Sequence, residues 1–281
     1  MQDYVNPKLI IETSKLKEGS VKWRSPSNIA IIKYWGKHGN QLPRNPSISF
    51  TLDNAYTETS FDYSPKKGAD RGLDVEFNFE GKPNEVFGKK VKKYLESIIE
   101  IFPFLKQLQI KINSKNSFPH SAGIASSASS MSALALCLCS LEHELFGTLP
   151  SDAEFRKKAS FVARLGSGSA CRSIYNGLAI LGKLGEVEES SDLFAIPFND
   201  KVHEIFKTYH DDILMINTRE KSVSSRIGHG LMDENIYAEN RYLQARQRFH
   251  ELLIALKSGD VDAFGKIAES EALTLHALMM T

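Results

Sequence analysis

The stretch Asn116-Ser-Phe-Pro-His-Ser-Ala-Gly-Ile-Ala-Ser-Ser-Ala-Ser-Ser130 decides how this chain is read. A polar segment gives way to Gly123 and then to a small-residue and apolar run over 125–146, so the local order is loop, glycine, helix. Glycine and small residues at a helix start let backbone N–H groups approach a ligand, and the positive end of the helix dipole favours phosphate there. Ser126 and Ser127 can add hydroxyl contacts to phosphate or to its magnesium. A serine-rich helix cap is the plainer alternative, but so many adjacent small residues exceed what a cap requires.

Working outward, residues 21–80 favour β-structure. The runs 30–34, 47–52, 58–63 and 73–79 are rich in aromatic and branched residues and are separated by Gly, Pro, Asn and Asp. Residues 86–101 carry apolar positions at helical spacing, ended by Phe102-Pro103, and 108–112 alternates as a strand. Downstream, a helix over 151–165 leads to a second small-residue loop at 166–170 and then to a strand over 177–184. From Glu186 the composition shifts, and the acidic stretch 186–192 with the turn Asn199-Asp200 marks a domain boundary. Beyond it come a strand over 212–217 and helices over about 239–258 and 261–280. The sum is a two-part α+β chain, 1–185 and 186–281, rather than alternating βα units.

Bulk properties narrow the function. Hydrophobic residues at 42% and charged residues at 25% are ordinary for a folded protein. A net charge of +1 provides no global field to draw the chain to nucleic acid or an anionic membrane, so any anion site must be local. Cys137, Cys139 and Cys171 have neither the even count of a disulfide framework nor the spacing of a zinc site, and read as buried apolar residues in a reducing compartment. The first twenty residues hold no secretory signal, and no apolar run reaches about 18 residues. The expectation is a soluble, cytoplasmic protein.

Two further stretches carry chemistry. In Ser25-Pro-Ser-Asn-Ile-Ala-Ile-Ile-Lys-Tyr-Trp-Gly-Lys37, Lys33 and Lys37 sit four apart around Tyr34, so two ammonium groups and a phenol can converge on a multiply charged anion. Lys33 interrupts an apolar strand and there needs a partner. In Ala163-Arg-Leu-Gly-Ser-Gly-Ser-Ala-Cys-Arg-Ser173, Ser167, Ser169 and the backbone of 166–170 offer a second anion cradle, while Arg172 supplies a planar fork for carboxylate or phosphate. Solvated lysines and a flexible loop are the bland readings of each stretch taken alone. Other signals fail: Gly177-Leu-Ala-Ile-Leu-Gly-Lys183 has the P-loop spacing, but Leu184 stands where Ser or Thr must hold magnesium.

Together, 28–37, 118–128 and 163–173 closely resemble, in order and spacing, the signatures of mevalonate diphosphate decarboxylases of the GHMP kinase superfamily; the resemblance runs from about residue 21 to the end and includes Lys221-Ser-Val-Ser-Ser225. It implies a two-domain GHMP kinase fold, with an N-terminal part like ribosomal protein S5 domain 2 and an α/β sandwich after it. It implies ATP-dependent decarboxylation of mevalonate 5-diphosphate to isopentenyl diphosphate, with magnesium, by a homodimer. Carried over, Pro119, Ser121, Ala122, Gly123, Ala125, Ser126 and Ser127 hold ATP, with Ser127 also on magnesium. Tyr34, Lys37, Ser167, Ser169 and Arg172 hold the substrate, and Lys33, Ser127 and Arg172 are catalytic. A related mevalonate or phosphomevalonate kinase or decarboxylase, or a non-catalytic binding protein of the fold, is the alternative. The family's catalytic aspartate, in a Thr-x-Asp-Ala-Gly-like stretch, lies beyond Thr281, so the resemblance implies an incomplete C-terminal domain. Asp53, in Thr51-Leu-Asp-Asn-Ala55, echoes that stretch but lies in the strand region and is not assigned its role.

Overall fold

A computed structural model describes residues 4–12, 14–67, 72–119, 123–214 and 225–280, with the side chains of 225–227 outside that description. Its frame is two long antiparallel strands, β1 (Gly19–Ile32) and, after the short hairpin of β2 (Lys37–His38) and β3 (Leu42–Pro43), β4 (Ser47–Pro65). The runs 47–52 and 58–63, read separately from sequence, form this one 19-residue strand. The register jumps from Pro26↔Tyr56 to Ser27↔Leu52, so Asp53, Asn54 and Ala55 bulge out of the ladder without ending the strand. Asp53 is exposed in that bulge.

Along its other edge β4 is shared. Its C-terminal half pairs with β7 (Leu108–Asn116), and its first residues pair with β8 (Leu178–Leu181), which continues to β9 (Ile196–Pro197). Beyond β7 lie β5 (Asp74–Phe79), in parallel, and β6 (Lys82–Pro83). Between β6 and β7, α1 (Glu85–Ser97) starts where Asn84 accepts the Phe87 N–H at 3.0 Å. It is shorter than the 86–101 expected, because the chain turns at Ile98 and forms a 3-10 helix over Pro103–Gln107. The helices α2 (Ser126–Phe146) and α3 (Asp152–Gly166) follow, the second capped by Ser151 on the Glu154 N–H at 3.2 Å. The expected loop at 166–170 is mostly a 3-10 turn, Gly168–Ile174. After α4 (Ser225–Gly230), the paired helices α5 (Ala238–Ser258) and α6 (Val261–Met279) lie close to their expected positions.

Two expectations need correction. The strand expected over 30–34 ends at Ile32, because the backbone of Lys33 bonds outside the ladder: its N–H to Glu271 Oε2 at 3.2 Å and its carbonyl to Asn45 Nδ2 at 3.1 Å. The strand expected over 212–217 is not formed at 212–214, where Leu214 is 85% exposed and no partner strand is present among the described residues; 215–217 lie outside the described residues.

One core lies between the sheet and α1 to α3, centred on Phe61, Ile110, Leu95, Phe104, Leu138 and Phe161. A second joins Ile32, Ile48, Leu178 and Ile180 to Phe206, Phe249, Leu252 and Phe264, so strands before residue 185 and helices after it share apolar contacts. All three cysteines are free and buried. No described helix is long and apolar enough to cross a membrane.

Helices α2 and α3 are stapled by a buried ion pair, Lys158 Nζ to Glu142 Oε2 at 2.5 Å, with side-chain exposures of 4% and 3%. Breaking such a pair from one side leaves an uncompensated charge. Lys158→Met is expected to lower unfolding free energy by about 3–5 kcal/mol, measured by urea denaturation, while Lys158→Met with Glu142→Leu recovers most of the loss.

Candidate functional site

The site is assembled at the N-terminus of α2. Its cap residue is Ala125, in the left-handed region at φ 49°, with no side-chain cap hydrogen bond and no acidic residue in the first turn. Among the described residues no side-chain cap bonds the helix start, which lies beside an exposed Ser127 and a half-buried Ser126. Gly123 adopts φ 91°, which lets the loop turn sharply into the helix. The preceding carbonyl of Ile124 accepts from Ser27 Oγ at 2.5 Å, which ties the loop to β1. Pro119 is exposed at the loop's near end; Ser121 and Ala122 lie outside the described residues.

The second small-residue segment reaches the same place. Ser127 Oγ and Ser167 Oγ are 3.5 Å apart, so the start of α2 and the end of α3 present hydroxyls side by side. One turn on, Arg172 is 1% exposed, its guanidinium bonded to Ser49 Oγ at 2.8 Å, Ser47 Oγ at 2.5 Å and Asn28 Oδ1 at 3.4 Å. All three acceptors are neutral. Burial lowers its pKa, and the groups acting against that are Cys171 and Tyr34 rather than a carboxylate. A buried cation held by uncharged acceptors is placed to bind an anion. Asn28 also donates to the Ser169 carbonyl at 3.2 Å and to Ser173 Oγ at 2.7 Å, which fixes the turn carrying Ser169 and Arg172.

Tyr34, Lys33 and Lys37 complete the group. A Cβ added to Gly168 would lie 2.2 Å from Tyr34 Oη, so the phenol rests directly on the 3-10 turn. Burial, then Cys171, raises the Tyr34 pKa, which keeps the hydroxyl a neutral donor; it donates to the Gln41 carbonyl at 3.2 Å. Lys33 is half-buried, with Nζ donating to the Ala30 carbonyl at 2.7 Å. Its pKa is lowered chiefly by burial, with Arg172 and Arg241 acting in the same sense and Glu271 and Asp211 opposing. Lys37 Nζ donates to Gln41 Oε1 at 3.0 Å. Among the described residues, no cluster of His, Cys, Asp or Glu with metal-ligand geometry is present.

The sequence signals thus converge: Ser127 on Ser167, Tyr34 on Gly168, and Arg172 within electrostatic reach of Tyr34 and Lys33. Sequence reasoning passed over Asn28, Ser47 and Ser49, which hold Arg172, and Glu271, which holds the Lys33 backbone and bridges Arg241 at 2.7 Å and Arg248 at 3.2 Å. It also passed over His229, whose ring lies against Tyr34 and Trp35. The only early signal was Lys33 itself, a charge in an apolar run.

Two outcomes are expected. Gly168→Ala drives a methyl into Tyr34 and weakens binding of inorganic pyrophosphate by about tenfold or more, consistent with an overpacking cost of about 1–3 kcal/mol, as read by calorimetric titration. His229 has its pKa lowered to about 4, first by burial and then by Lys37. Because the unfolded chain then binds the proton more readily, stability is full above pH 6.5 and is lost as pH falls toward 4, by on the order of 3 kcal/mol. Urea titrations between pH 7 and pH 4 are expected to show a shallower loss for His229→Asn.

Known proteins resemble this chain over most of its length. The family model for the diphosphomevalonate decarboxylase-like N-terminal domain matches residues 25–192. A diphosphomevalonate decarboxylase of Ganoderma lucidum is 32% identical over 272 residues, covering 91% of this chain and 64% of the relative, so the chain spans just under two thirds of that protein's length. The mevalonate diphosphate decarboxylase of Enterococcus faecalis, in a structure concerned with mevalonate diphosphate mediated ATP binding, is 33% identical with a TM-score of 0.72, covering 93% of this chain and 74% of that one. A structure described as MDDEF in complex with MVAPP, AMPPCP and magnesium has the same identity and TM-score, covering 93% and 75%.

Proposed function

Since the chain belongs to the diphosphomevalonate decarboxylase-like family, we propose that it takes part in the ATP-dependent decarboxylation of mevalonate 5-diphosphate to isopentenyl diphosphate, with release of ADP, phosphate and carbon dioxide. The observation that carries the reading is the meeting of Ser127 and Ser167 beside a buried Arg172 that has only neutral partners. Such a site suits two polyanions, one on each side of the serine pair, and a carboxylate.

The chemistry requires these groups. A β-hydroxy acid has no electron sink for decarboxylation, and hydroxide is a poor leaving group. ATP converts the tertiary hydroxyl to a phosphate ester. Departure of that phosphate draws the carboxylate electrons into a new carbon–carbon double bond as carbon dioxide leaves. Catalysis is then mainly positioning and charge stabilisation. In this reading the start of α2, with Ser126 and Ser127, would hold the ATP phosphates, and the Ser127 hydroxyl would be the protein's contact to magnesium, which would supply neutralisation of phosphate charge. The fit to phosphate rests on a helix start that has no side-chain cap from Ala125 and no acidic residue in its first turn. Lys33 lies near the transferred phosphoryl group, and its pKa is lowered chiefly by a burial whose cost to the charged form an arriving anion offsets. Tyr34, Lys37, Ser167 and Ser169 hold the diphosphate, and Arg172 the carboxylate.

We further propose a division near 185/186. It is supported by the end of the family match at residue 192 and by the two cores, although the second core draws strands from the first part. A homodimer in the cytoplasm is the accompanying proposal.

The test is ATP-dependent release of carbon dioxide from mevalonate, its monophosphate and its diphosphate. Turnover is expected with the diphosphate, and Arg172→Ala is expected to reduce it by about 100-fold or more through loss of carboxylate orientation. Turnover of mevalonate alone would replace the substrate, and unchanged turnover by the variant would remove Arg172 from the site.

A further inference from the structure

We infer that His229 is a positioning residue: its imidazole pegs the turn 34–37 from outside and thereby sets where the Tyr34 hydroxyl and the Lys37 ammonium stand. The inference rests on the reading that these two groups hold the diphosphate.

Five contacts converge on the turn. The His229 ring lies 4.9 Å from the Tyr34 ring at 57°, and 4.7 Å from Trp35 at 30°, so one imidazole touches two consecutive side chains. Its Nδ1 accepts the buried Gly36 N–H at 3.1 Å, which places the ring proton on Nε2. A Cβ on Gly228 would lie 2.8 Å from the Trp35 indole, so the backbone of α4 rests on that ring. From the far side, Tyr242 of α5 closes on Gly36, where a Cβ would lie 2.2 Å from its hydroxyl.

The turn has no long ladder of its own to hold it. β1 ends at Ile32, and the hairpin that begins at Lys37 pairs only two residues per strand. Gly36 sits at φ 85°, a conformation that specifies a direction for its amide but provides no side chain to keep it. The imidazole supplies both the acceptor and the packing. Either side of it, Tyr34 Oη and Lys37 Nζ both bond to Gln41, so a rotation of the Gly36 peptide moves both groups together. A histidine that merely filled space would affect stability without distinguishing one ligand from another. A peg affects the ligand held by the turn and leaves alone the one held at α2.

The experiment compares wild type with His229→Asn, His229→Phe and His229→Ala. Three quantities are measured at pH 7.5: hydrogen exchange at the Gly36 amide, calorimetric affinity for mevalonate diphosphate and for inorganic pyrophosphate, and affinity for ATP with magnesium. Asn, whose Oδ1 can accept the same N–H, is expected to stay within about threefold of wild type throughout. Phe keeps ring contacts without the acceptor, and Ala removes both while leaving room to fold. Each is expected to speed Gly36 exchange and weaken both diphosphates by about tenfold or more, with ATP affinity held within about twofold. Unchanged exchange or unchanged diphosphate affinity in both Phe and Ala overturns the inference, as does a parallel loss of ATP affinity. A wild-type chain that binds pyrophosphate but not mevalonate diphosphate overturns the substrate reading and leaves the peg standing; one that binds neither overturns both.

Discussion

Arg172 is almost completely buried, and the cost of desolvating its charge is met by two serine hydroxyls and an amide oxygen rather than by a carboxylate. That arrangement constrains three segments at once. β4 must turn Ser47 and Ser49 to the same face, which the two-residue period of a strand does, while β1 must present Asn28, paired with Thr51, to the same guanidinium. The 3-10 turn must then stop where Asn28 can also reach the Ser169 carbonyl and the Ser173 hydroxyl. The buried hydroxyls nearby continue the theme: Ser25 bonds to Ser132 of α2 and to the Ser173 carbonyl, and Thr57 to Ser129 at 2.6 Å. The polar side chains inside this layer fix the α2 terminus relative to the strands, a specificity that apolar packing alone does not give.

The helical end of the molecule meets the same layer through one carboxylate. Glu271 is fully buried and takes the Lys33 N–H, Arg241 and Arg248, which joins α5 and α6 to the end of β1. It is also the main group opposing the loss of charge on Lys33. Arg241 is less well served, since its Nε and Nη1 have no partner among the described residues. The pair is therefore better understood as a fixed orientation than as a large stabilisation.

Much of this was legible beforehand, and the reasons are specific. α2, α3, α5 and α6 fall within a residue or two of their expected bounds because apolar periodicity and terminal residues such as Ser151 and Asp260 act locally. The three candidate anion-binding stretches stood out because small residues, lysines and an arginine cluster in short segments. Ser47 and Ser49 did not, because serine at alternate strand positions looks the same whether it faces water or a buried guanidinium. His229 gave no signal, since its partners Tyr34, Trp35 and Gly36 are nearly two hundred residues away in the chain. The run at 212–214 misled because apolar pattern alone cannot supply a neighbouring strand.

The shared edge of β4 also bears on how the chain folds. Its pairing with β1 needs only a short loop, but Ser47 meets Leu181 across the long segment that carries α1, α2 and α3. Closing so long a segment costs entropy before the ladder returns any of it, which makes formation of β8 against β4 a late event in a slow, high-contact-order search. Until then Ile48 and Ile180 lack each other, and the second core cannot form around them. The apolar faces of the helices after residue 238 therefore dock on a surface that a strand beginning at residue 47 helps to build.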